Sequence, residues 1–166
     1  LVDNNSSEAL SVDEFDYPAL GLRLIKNQEN LGFSGGNNTG MEKAIEDGCE
    51  FVLVLNNDTI QKEDFLLKLL SVFKDPNVGV ASPKIYFSKG REFHGDRYKD
   101  SERGRVIWYA GGILDRKNIL ASHRGVDEVD HGQYDVSLET DFATGCAMLI
   151  RTSVLEKIGL FDEKYF

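Results

Sequence analysis

The sequence is poor in cysteine, proline and basic residues, and it has no long apolar run. Its two cysteines, Cys49 and Cys146, form neither a disulfide framework nor a metal-binding spacing, so both are expected to be reduced core residues of a cytosolic protein. A net charge of -9 argues against nucleic acid as the main partner, because phosphate backbones are bound by basic stripes. The longest apolar runs fall far short of the roughly 20 residues that span a bilayer.

The chain also lacks an initiating methionine and a clear stop signal at its end. Its 166 residues suffice for one domain with a proper core. Residues 1–7 look like the end of a strand followed by a turn. Both termini therefore look cut, and we expect the chain to be a piece of a longer enzyme.

The most informative segment that is present couples an apolar run to a polar turn. Phe51–Leu55 reads as a strand buried on both faces, and Asn56-Asn57-Asp58 follows it directly. A carboxylate at the exit of such a strand is held at the ligand-binding edge of an α/β sheet, where it can bind a divalent cation and through it a phosphate. The alternative is a turn that only caps the next helix. An EF-hand is excluded because Ile60 breaks the alternation of oxygen ligands and Gln61 replaces the required glycine.

Strands alternate with helices in the first half, which predicts βαβ units and a parallel sheet. The second half is rich in strands and predicts an antiparallel extension. The predicted strands cover residues 22–26, 51–55, 78–81, 85–87 and 139–150, and residues 106–114 and 119–124 could pair as a hairpin. The predicted helices begin near residues 41, 62 and 152, and a flexible surface loop is expected over residues 88–105.

The segment from Asn30 to Gly40 is rich in glycine and asparagine and is expected to be a loop. Gly35 to Gly40 fits half of a phosphate-binding loop, but Met41-Glu42 stands where Lys-Ser/Thr is required, which excludes a P-loop NTPase. What remains is a loop where backbone can approach a ligand, followed by a helix N-terminus that favours anions. Simple turn glycines are the alternative.

Four further features are candidates for ligand contact. Asp3 follows a predicted strand and could accept hydrogen bonds from a nucleobase or a ribose, although an Asx turn is the favoured explanation for this residue taken alone. Trp108 and Gly111-Gly112 could form a sugar-facing wall. Gly145, expected in mid-strand, suggests a bulge or a ligand packed on backbone, with Asp141 as a lining residue. The three histidines lack a metal-ligand spacing and a visible partner, and no role is predicted for them.

Five segments together resemble family-2 glycosyltransferases, most closely the rhamnosyltransferase-like branch. They follow the order of the family and cover nearly the whole chain: Leu1–Ser7, Glu29–Asn38, Leu53–Asp58, Thr144–Arg151 and Ile158–Glu163. The resemblance implies a GT-A fold, an α/β architecture with a mostly parallel, Rossmann-like nucleotide-binding sheet, helices on both faces and an antiparallel acceptor-side extension. It divides the chain into a nucleotide-sugar half, residues 1–87, and an acceptor half, residues 88–166.

The resemblance also implies an inverting transfer of a sugar, with rhamnose as one candidate, from a UDP- or dTDP-linked donor. The acceptor would be a hydroxyl of a glycan or of a lipid-linked molecule in polysaccharide or glycoconjugate synthesis. The protein would be cytoplasmic or at the inner face of the membrane, with any membrane association through regions outside this chain.

The residue roles follow from the same resemblance. Asp3 matches the acid that binds the nucleobase, and Asp58 matches the last acid of the D-x-D motif, which holds Mg²⁺ or Mn²⁺ on the diphosphate. Asn56 replaces the first acid, so one carboxylate would carry most of the metal charge. The remaining expected residues are Gly35, Gly36, Asn38 and Asn57 on the donor side, and Trp108, Gly112, Asp141 and Gly145 on the acceptor side.

The general base of the family lies in a Glu-Asp pair shortly after a Phe-Asp-Glu-x-Tyr-Phe segment. Asp162 and Glu163 match that segment and not the base, which is therefore expected beyond Phe166. On this ground the 166-residue chain alone is expected to bind donor weakly and to be inactive. A sugar nucleotidyltransferase and a non-catalytic nucleotide-sugar-binding module are the alternatives.

Overall fold

The computed structural model describes residues 1–8, 10 and 21–165, and within them it has nine short strands and three α-helices. The strands are β1 (Val2–Asp3), β2 (Ile25–Lys26), β3 (Phe51–Leu55), β4 (Val80–Ala81), β5 (Ile85–Tyr86), β6 (Ile107–Tyr109), β7 (Gly112–Asp115), β8 (Leu120–His123) and β9 (Ala147–Arg151). The helices are α1 (Gly32–Glu46), α2 (Phe65–Ser71) and α3 (Thr152–Ile158), with 3-10 turns at Val72–Lys74 and Gly95–Arg97. None of the helices in these ranges has the length and apolar character needed to cross a membrane.

The strand pairing differs from the mostly parallel sheet that was expected. Strands β1 and β2 pair in parallel, whereas β5 pairs with β6, and β7 with β8, in antiparallel fashion. A three-stranded sheet has the order β3-β9-β4. The N–H of Asn56 donates to Cys146 O (2.9 Å) and that of Thr152 donates to Glu50 O (3.0 Å), so β3 and β9 also run in opposite directions.

Two compact units divide the chain. One contains Leu1–Val52 and Ile150–Phe166, and the other contains Leu53–Leu149. In the first, Met41 and Leu155 are buried, and in the second the largest fully buried side chains are those of Tyr109, Ile107 and Leu149. The functional division at residue 87 stays a prediction.

Strand β3 has one buried face, so the expectation that it is buried on both faces is wrong. Val52 and Val54 are buried, the alternate residues are only partly covered, and Leu55 is 37% exposed. This alternation is typical of a strand with one face on the core. The expectation that both cysteines lie in the core is also wrong, because Cys49 is exposed and Cys146 is only half-buried. Both are free thiols, as expected.

The expected glycine-rich loop is instead the first half of α1, which begins at Gly32. A Cβ on Gly36 would lie 3.0 Å from Nδ2 of Asn4, and a Cβ on Gly40 would lie 3.2 Å from Cγ2 of Val2. The glycines therefore let α1 pack closely on β1 and the residue after it. That packing offsets the poor helix propensity of glycine, which is why the local pattern was misleading.

Two other segments also differ from expectation. Strand β9 begins only at Ala147, and Gly145 lies in the turn before it rather than in mid-strand. The surface loop over residues 88–105 is tied across its base by the buried Glu92, whose carboxylate accepts the N–H groups of Gly90 (2.8 Å) and Gly104 (2.7 Å). These bonds join the two ends of a loop that was expected to be flexible.

The predicted hairpin in the second half of the chain and the predicted end of the last helix are confirmed in outline. Strands β7 and β8 form the predicted hairpin, with Asp115 opposite Leu120, although residues 107–109 pair with β5 instead. Helix α3 ends, as predicted, before Gly159, which has φ +88°.

The hairpin tip carries one strained residue. Ile119 has φ +55°, a left-handed conformation that β-branched residues rarely adopt, and its side chain is 87% exposed. We expect Ile119→Asn to raise the free energy of unfolding by about 1 kcal/mol, because asparagine tolerates this conformation and almost no packing is lost. Urea denaturation measures the change. Ile60→Asn, at a residue that is 95% exposed with ordinary φ, is the matched control and should have no effect; equal effects would refute the strain.

Candidate donor and acceptor sites

Asp3 ends β1 with its side chain buried, only 6% of the residue being exposed. Its Oδ1 accepts the N–H of Ser6 (2.9 Å), and this hydrogen bond holds the pKa of Asp3 below its usual range. The carboxylate is therefore ionised at neutral pH and already closes a local turn, which was the alternative explanation. Contact with a nucleobase stays a prediction for Asp3.

The residue that organises this corner is Asn4, which the sequence did not single out. Its Nδ2 donates to Asn30 Oδ1 (2.9 Å) and Gly32 O (3.0 Å), and its Oδ1 accepts from Asn27 Nδ2 (3.0 Å) and the N–H of Leu31 (3.1 Å). One carboxamide thus joins the ends of β1 and β2 to the start of α1. Only the tertiary contacts distinguish it from its neighbours in an Asn-rich turn.

Gly35 and Gly36 lie in α1 with their open sides occupied by the protein itself. A Cβ on Gly35 would be 2.6 Å from Leu31 Cβ, and the equivalent atom of Gly36 would meet the Asn4 side chain. Both glycines are therefore explained by internal packing. A contact between these two glycines and a sugar donor stays a prediction. It would have to use their backbone N–H or C=O groups, because the space beside each Cα is already occupied.

Asn38, also predicted on the donor side, holds the segment after α3. Its Nδ2 donates to Phe161 O and to Glu163 Oε1 (2.9 Å each), and its Oδ1 accepts the N–H of Phe161 (3.0 Å). Ser34 adds a hydrogen bond from Oγ to Tyr165 O (2.7 Å). Asn38 and Ser34 are both buried, so residues 161–165 are fastened to α1 by side chains that are largely shielded from water.

The candidate metal ligand Asp58 lies in the turn after β3. Thr59 Oγ1 donates to Asn56 O (2.7 Å) and closes this turn, while Asn57 and Asp58 are exposed. No described residue donates a hydrogen bond to the Asp58 carboxylate. The structure thus places one charged, unsatisfied carboxylate on a closed turn at the end of a strand.

The same turn lies beside the segment that leads into β9. The N–H of Asn56 donates to Cys146 O (2.9 Å), and the N–H of Cys146 donates to Thr144 Oγ1 (3.3 Å). Burial raises the pKa of the Cys146 thiol, and the negative charge of Asp58 raises it further. Two of the predicted segments, Asn56–Asp58 and Thr144–Cys146, are therefore neighbours.

A hard divalent cation needs oxygen ligands from the protein, from water or from a substrate. Among residues 1–8, 10 and 21–165, no three His, Cys, Asp or Glu side chains are grouped closely enough to hold a metal. Mg²⁺, however, keeps several waters and is usually bound by one or two carboxylates plus substrate phosphates. A single exposed carboxylate such as that of Asp58 fits this kind of site.

On the acceptor side, Gly112 and Asp141 belong to one packed arrangement. A Cβ on Gly112 would lie 2.4 Å from the ring of Phe142, so no side chain fits there. The carboxylate of Asp141 accepts the N–H of Leu114 (2.9 Å), and its own N–H donates to Gly112 O (3.1 Å). These residues fasten residues 140–142 to β7, and a role as sugar-lining groups stays a prediction.

Trp108 is half-buried and belongs to an aromatic cluster. Its ring meets His123 edge-on (4.6 Å between centroids), and His123 in turn meets Tyr109 (5.1 Å). Nδ1 of His123 donates to Trp108 O (3.0 Å). The histidine, for which no role was predicted, thus fixes the backbone that carries the tryptophan.

The comparisons with known proteins agree with the resemblance. The family model of glycosyl transferase family 2 matches residues 1–159. The chain belongs to this family. It is 31% identical over 172 residues to the low-salt glycan biosynthesis hexosyltransferase Agl10 of Haloferax volcanii, covering 100% of this chain and 48% of that protein.

Uncharacterized proteins of Mycobacterium bovis and Mycobacterium tuberculosis are also 31% identical, over 153 residues that make up 86% of this chain and 58% of theirs. The chain thus spans about half the length of the curated relatives that it matches. Membership implies the GT-A α/β fold, whereas the rhamnosyltransferase-like branch is a finer assignment that these relatives do not address.

The contacts of Asn38 allow a structural role to be tested against the predicted donor-binding role. We expect Asn38→Ala to lower the free energy of unfolding by about 2 kcal/mol, because it leaves the partly buried N–H and C=O of Phe161 without their Asn38 partner. Guanidinium denaturation measures this. Asn37→Ala is the matched control on the same helix, since its one recorded hydrogen bond is exposed and joins Phe33 O (2.8 Å); it should change stability by less than about 0.5 kcal/mol.

A donor-binding role for Asn38 would give the opposite pattern. Nucleotide affinity would then fall in Asn38→Ala while the unfolding free energy stayed unchanged.

Proposed function

We propose that this domain transfers a sugar, with inversion, from a nucleoside-diphosphate donor to an acceptor hydroxyl in polysaccharide or glycoconjugate synthesis. Membership of glycosyl transferase family 2 and the hexosyltransferase name of one relative support the reaction class. The observation that carries the proposal is the exposed carboxylate of Asp58, which has no hydrogen-bond donor in the described chain and sits on a turn closed by Thr59.

Asp58 would hold Mg²⁺ or Mn²⁺ against the diphosphate of the donor. As the glycosidic bond breaks, negative charge develops on the leaving phosphate oxygens, and a cation bound there stabilises the transition state more than the ground state. Asn56 and Asn57 are neutral, so the site carries one protein charge where a D-x-D motif carries two. A weaker charge makes metal binding depend more on the substrate phosphates, and we expect cation and nucleotide to bind together.

The remaining assignments extend the same proposal. Asp3 would contact the nucleobase, the backbone of Gly35 and Gly36 with Asn38 and Asn57 would lie on the donor side, and Trp108, Gly112, Asp141 and Gly145 would face the acceptor. The donor would be UDP- or dTDP-linked, with rhamnose as a candidate sugar, and the acceptor a glycan or a lipid-linked molecule. An inverting displacement also needs a general base on the acceptor side of the sugar, and no residue of this chain is assigned to it.

Exchange of Asp58 is the direct test. We expect Asp58→Asn to weaken Mn²⁺-dependent binding of UDP or dTDP by at least about tenfold, down to the affinity measured without metal, because even an outer-shell partner of a metal contributes that much. Isothermal titration with and without Mn²⁺ measures it. Glu63→Gln is the matched control, since Glu63 is also an exposed acid near this turn and has no side-chain partner among the residues that the structure describes.

Three outcomes are informative. Loss of metal-dependent binding in Asp58→Asn alone supports the transferase proposal. Unchanged binding in that variant contradicts it and favours a binding module. Release of pyrophosphate from a sugar phosphate and a nucleoside triphosphate would favour a sugar nucleotidyltransferase.

A further inference from the structure

The loop over residues 88–105 carries a net positive charge, although the chain as a whole is acidic. It contains six Lys or Arg and four Asp or Glu, a net charge of +2, whereas the rest of the chain has a net charge of -11. Asp127, which lies outside this stretch, pairs with Arg97 and lowers the local excess of positive charge. The loop is still less unfavourable to anions than the remaining, strongly acidic part of the chain. Because Glu92 ties the base of the loop together, the positive charges are presented on an ordered surface.

Two side chains of this loop are held by one carboxylate. Arg97 Nη1 and His94 Nδ1 both contact Oδ2 of Asp127, at 2.8 Å and 2.7 Å, and the Tyr98 hydroxyl donates to Oδ1 (2.5 Å). The hydroxyl of Tyr98, followed by His94, keeps the pKa of Asp127 low, so this carboxylate stays charged. Asp127 also has φ +66°, a strained conformation that persists only where surrounding contacts enforce it.

The two side chains that Asp127 holds remain open to solvent. The side chains of Arg97 and His94 are 65% and 64% exposed, whereas that of Asp127 is only 15% exposed. A guanidinium has five N–H groups, and the recorded bonds of Arg97 use one of its nitrogens. The other donors can form a forked pair with a phosphate or carboxylate. Arg91 adds a further exposed guanidinium with no recorded acidic partner.

An exposed aromatic ring adjoins this pair in sequence. Phe93 is 68% exposed, yet its ring is fixed edge-on against Phe87 (4.7 Å between centroids). A solvent-facing ring held in this way provides the flat apolar surface on which the C–H face of a pyranose packs. An exposed aromatic ring that is close in sequence to an oriented guanidinium fits a sugar that carries negative charge.

We propose that Phe93, His94 and Arg97 form a subsite for a sugar bearing a phosphate or a carboxylate. The inference rests on the proposed transferase function, in which this sugar belongs to the acceptor. Arg97, oriented by Asp127, binds the anionic group, and Phe93 packs against the ring of the sugar.

The test is a set of NMR titrations of the 166-residue protein with glucose 6-phosphate, glucuronate, inorganic phosphate and neutral glucose. At least one of the two anionic sugars should bind about tenfold more tightly than glucose, and the stronger of the two identifies the charged group as phosphate or carboxylate. Inorganic phosphate binding as tightly as glucose 6-phosphate would remove Phe93 from the subsite. Failure of both anionic sugars to exceed glucose overturns the inference.

Variants locate the binding. Arg97→Ala should weaken the anionic sugar about tenfold, as expected for one lost charge-assisted hydrogen bond, and Arg97→Lys, which keeps the charge but not the fork, should be intermediate. Arg116→Ala is the matched control, because it removes an exposed arginine from the β7–β8 hairpin of the same unit. Equal losses in Arg97→Ala and Arg116→Ala would show only a general charge effect and contradict the subsite. Phe93→Ala should weaken both charged and neutral sugars, while Phe93→Tyr should retain binding.

Nucleotide binding separates this inference from the proposed function. Arg97→Ala should leave Mn²⁺-dependent UDP binding unchanged, and Asp58→Asn should leave sugar-phosphate binding unchanged. Loss of UDP binding in Arg97→Ala would assign the loop to the donor and overturn the inference. Retained UDP binding in Asp58→Asn would instead contradict the proposed function and leave the sugar subsite intact.

Discussion

Backbone groups that are shielded from water need hydrogen-bond partners, and at two junctions of this chain asparagine side chains supply them. Asn4 joins the ends of β1 and β2 to the start of α1, and Asn38 fastens residues 161–165 to the same helix. The close approach of α1 to β1 through Gly36 and Gly40 brings Asn4 within reach of its partners. The geometry of this unit therefore depends on a glycine-rich helix and on the carboxamides of Asn4 and Asn38, which make four and three hydrogen bonds.

This constraint divides the polar candidates into two groups. The side chains of Asn38 and Asp141 already hold backbone groups, and binding a ligand would cost the hydrogen bonds that they make. The carboxylate of Asp58 and the outer donors of Arg97 carry charge that no described residue satisfies fully. We propose ligand recognition for the second group, because an exposed group can exchange bound water for a ligand without breaking a hydrogen bond within the protein.

The net charge of the chain also limits which ligands can bind and where. A net charge of -9 is unfavourable for binding anions over most of the surface. An anionic substrate then needs either a cation held by a carboxylate such as Asp58 or a local basic surface such as the loop around Arg97. A family-2 glycosyltransferase that binds a diphosphate donor and a negatively charged acceptor would use the bound cation for the donor and the basic surface for the acceptor.

The sequence alone determined the α/β class, the position of β3 with its polar turn, the β7–β8 hairpin and the end of α3 at Gly159. These are local features, set by apolar periodicity and by residues that stop an element. It did not reveal that residues 32–40 are helical, that Gly145 precedes β9, or that Asn4 is a hub, because each depends on partners distant in the chain. Glycine in isolation favours a loop, and only the tertiary structure, with Asn4 and Val2 packed against α1, makes a helix the more stable choice.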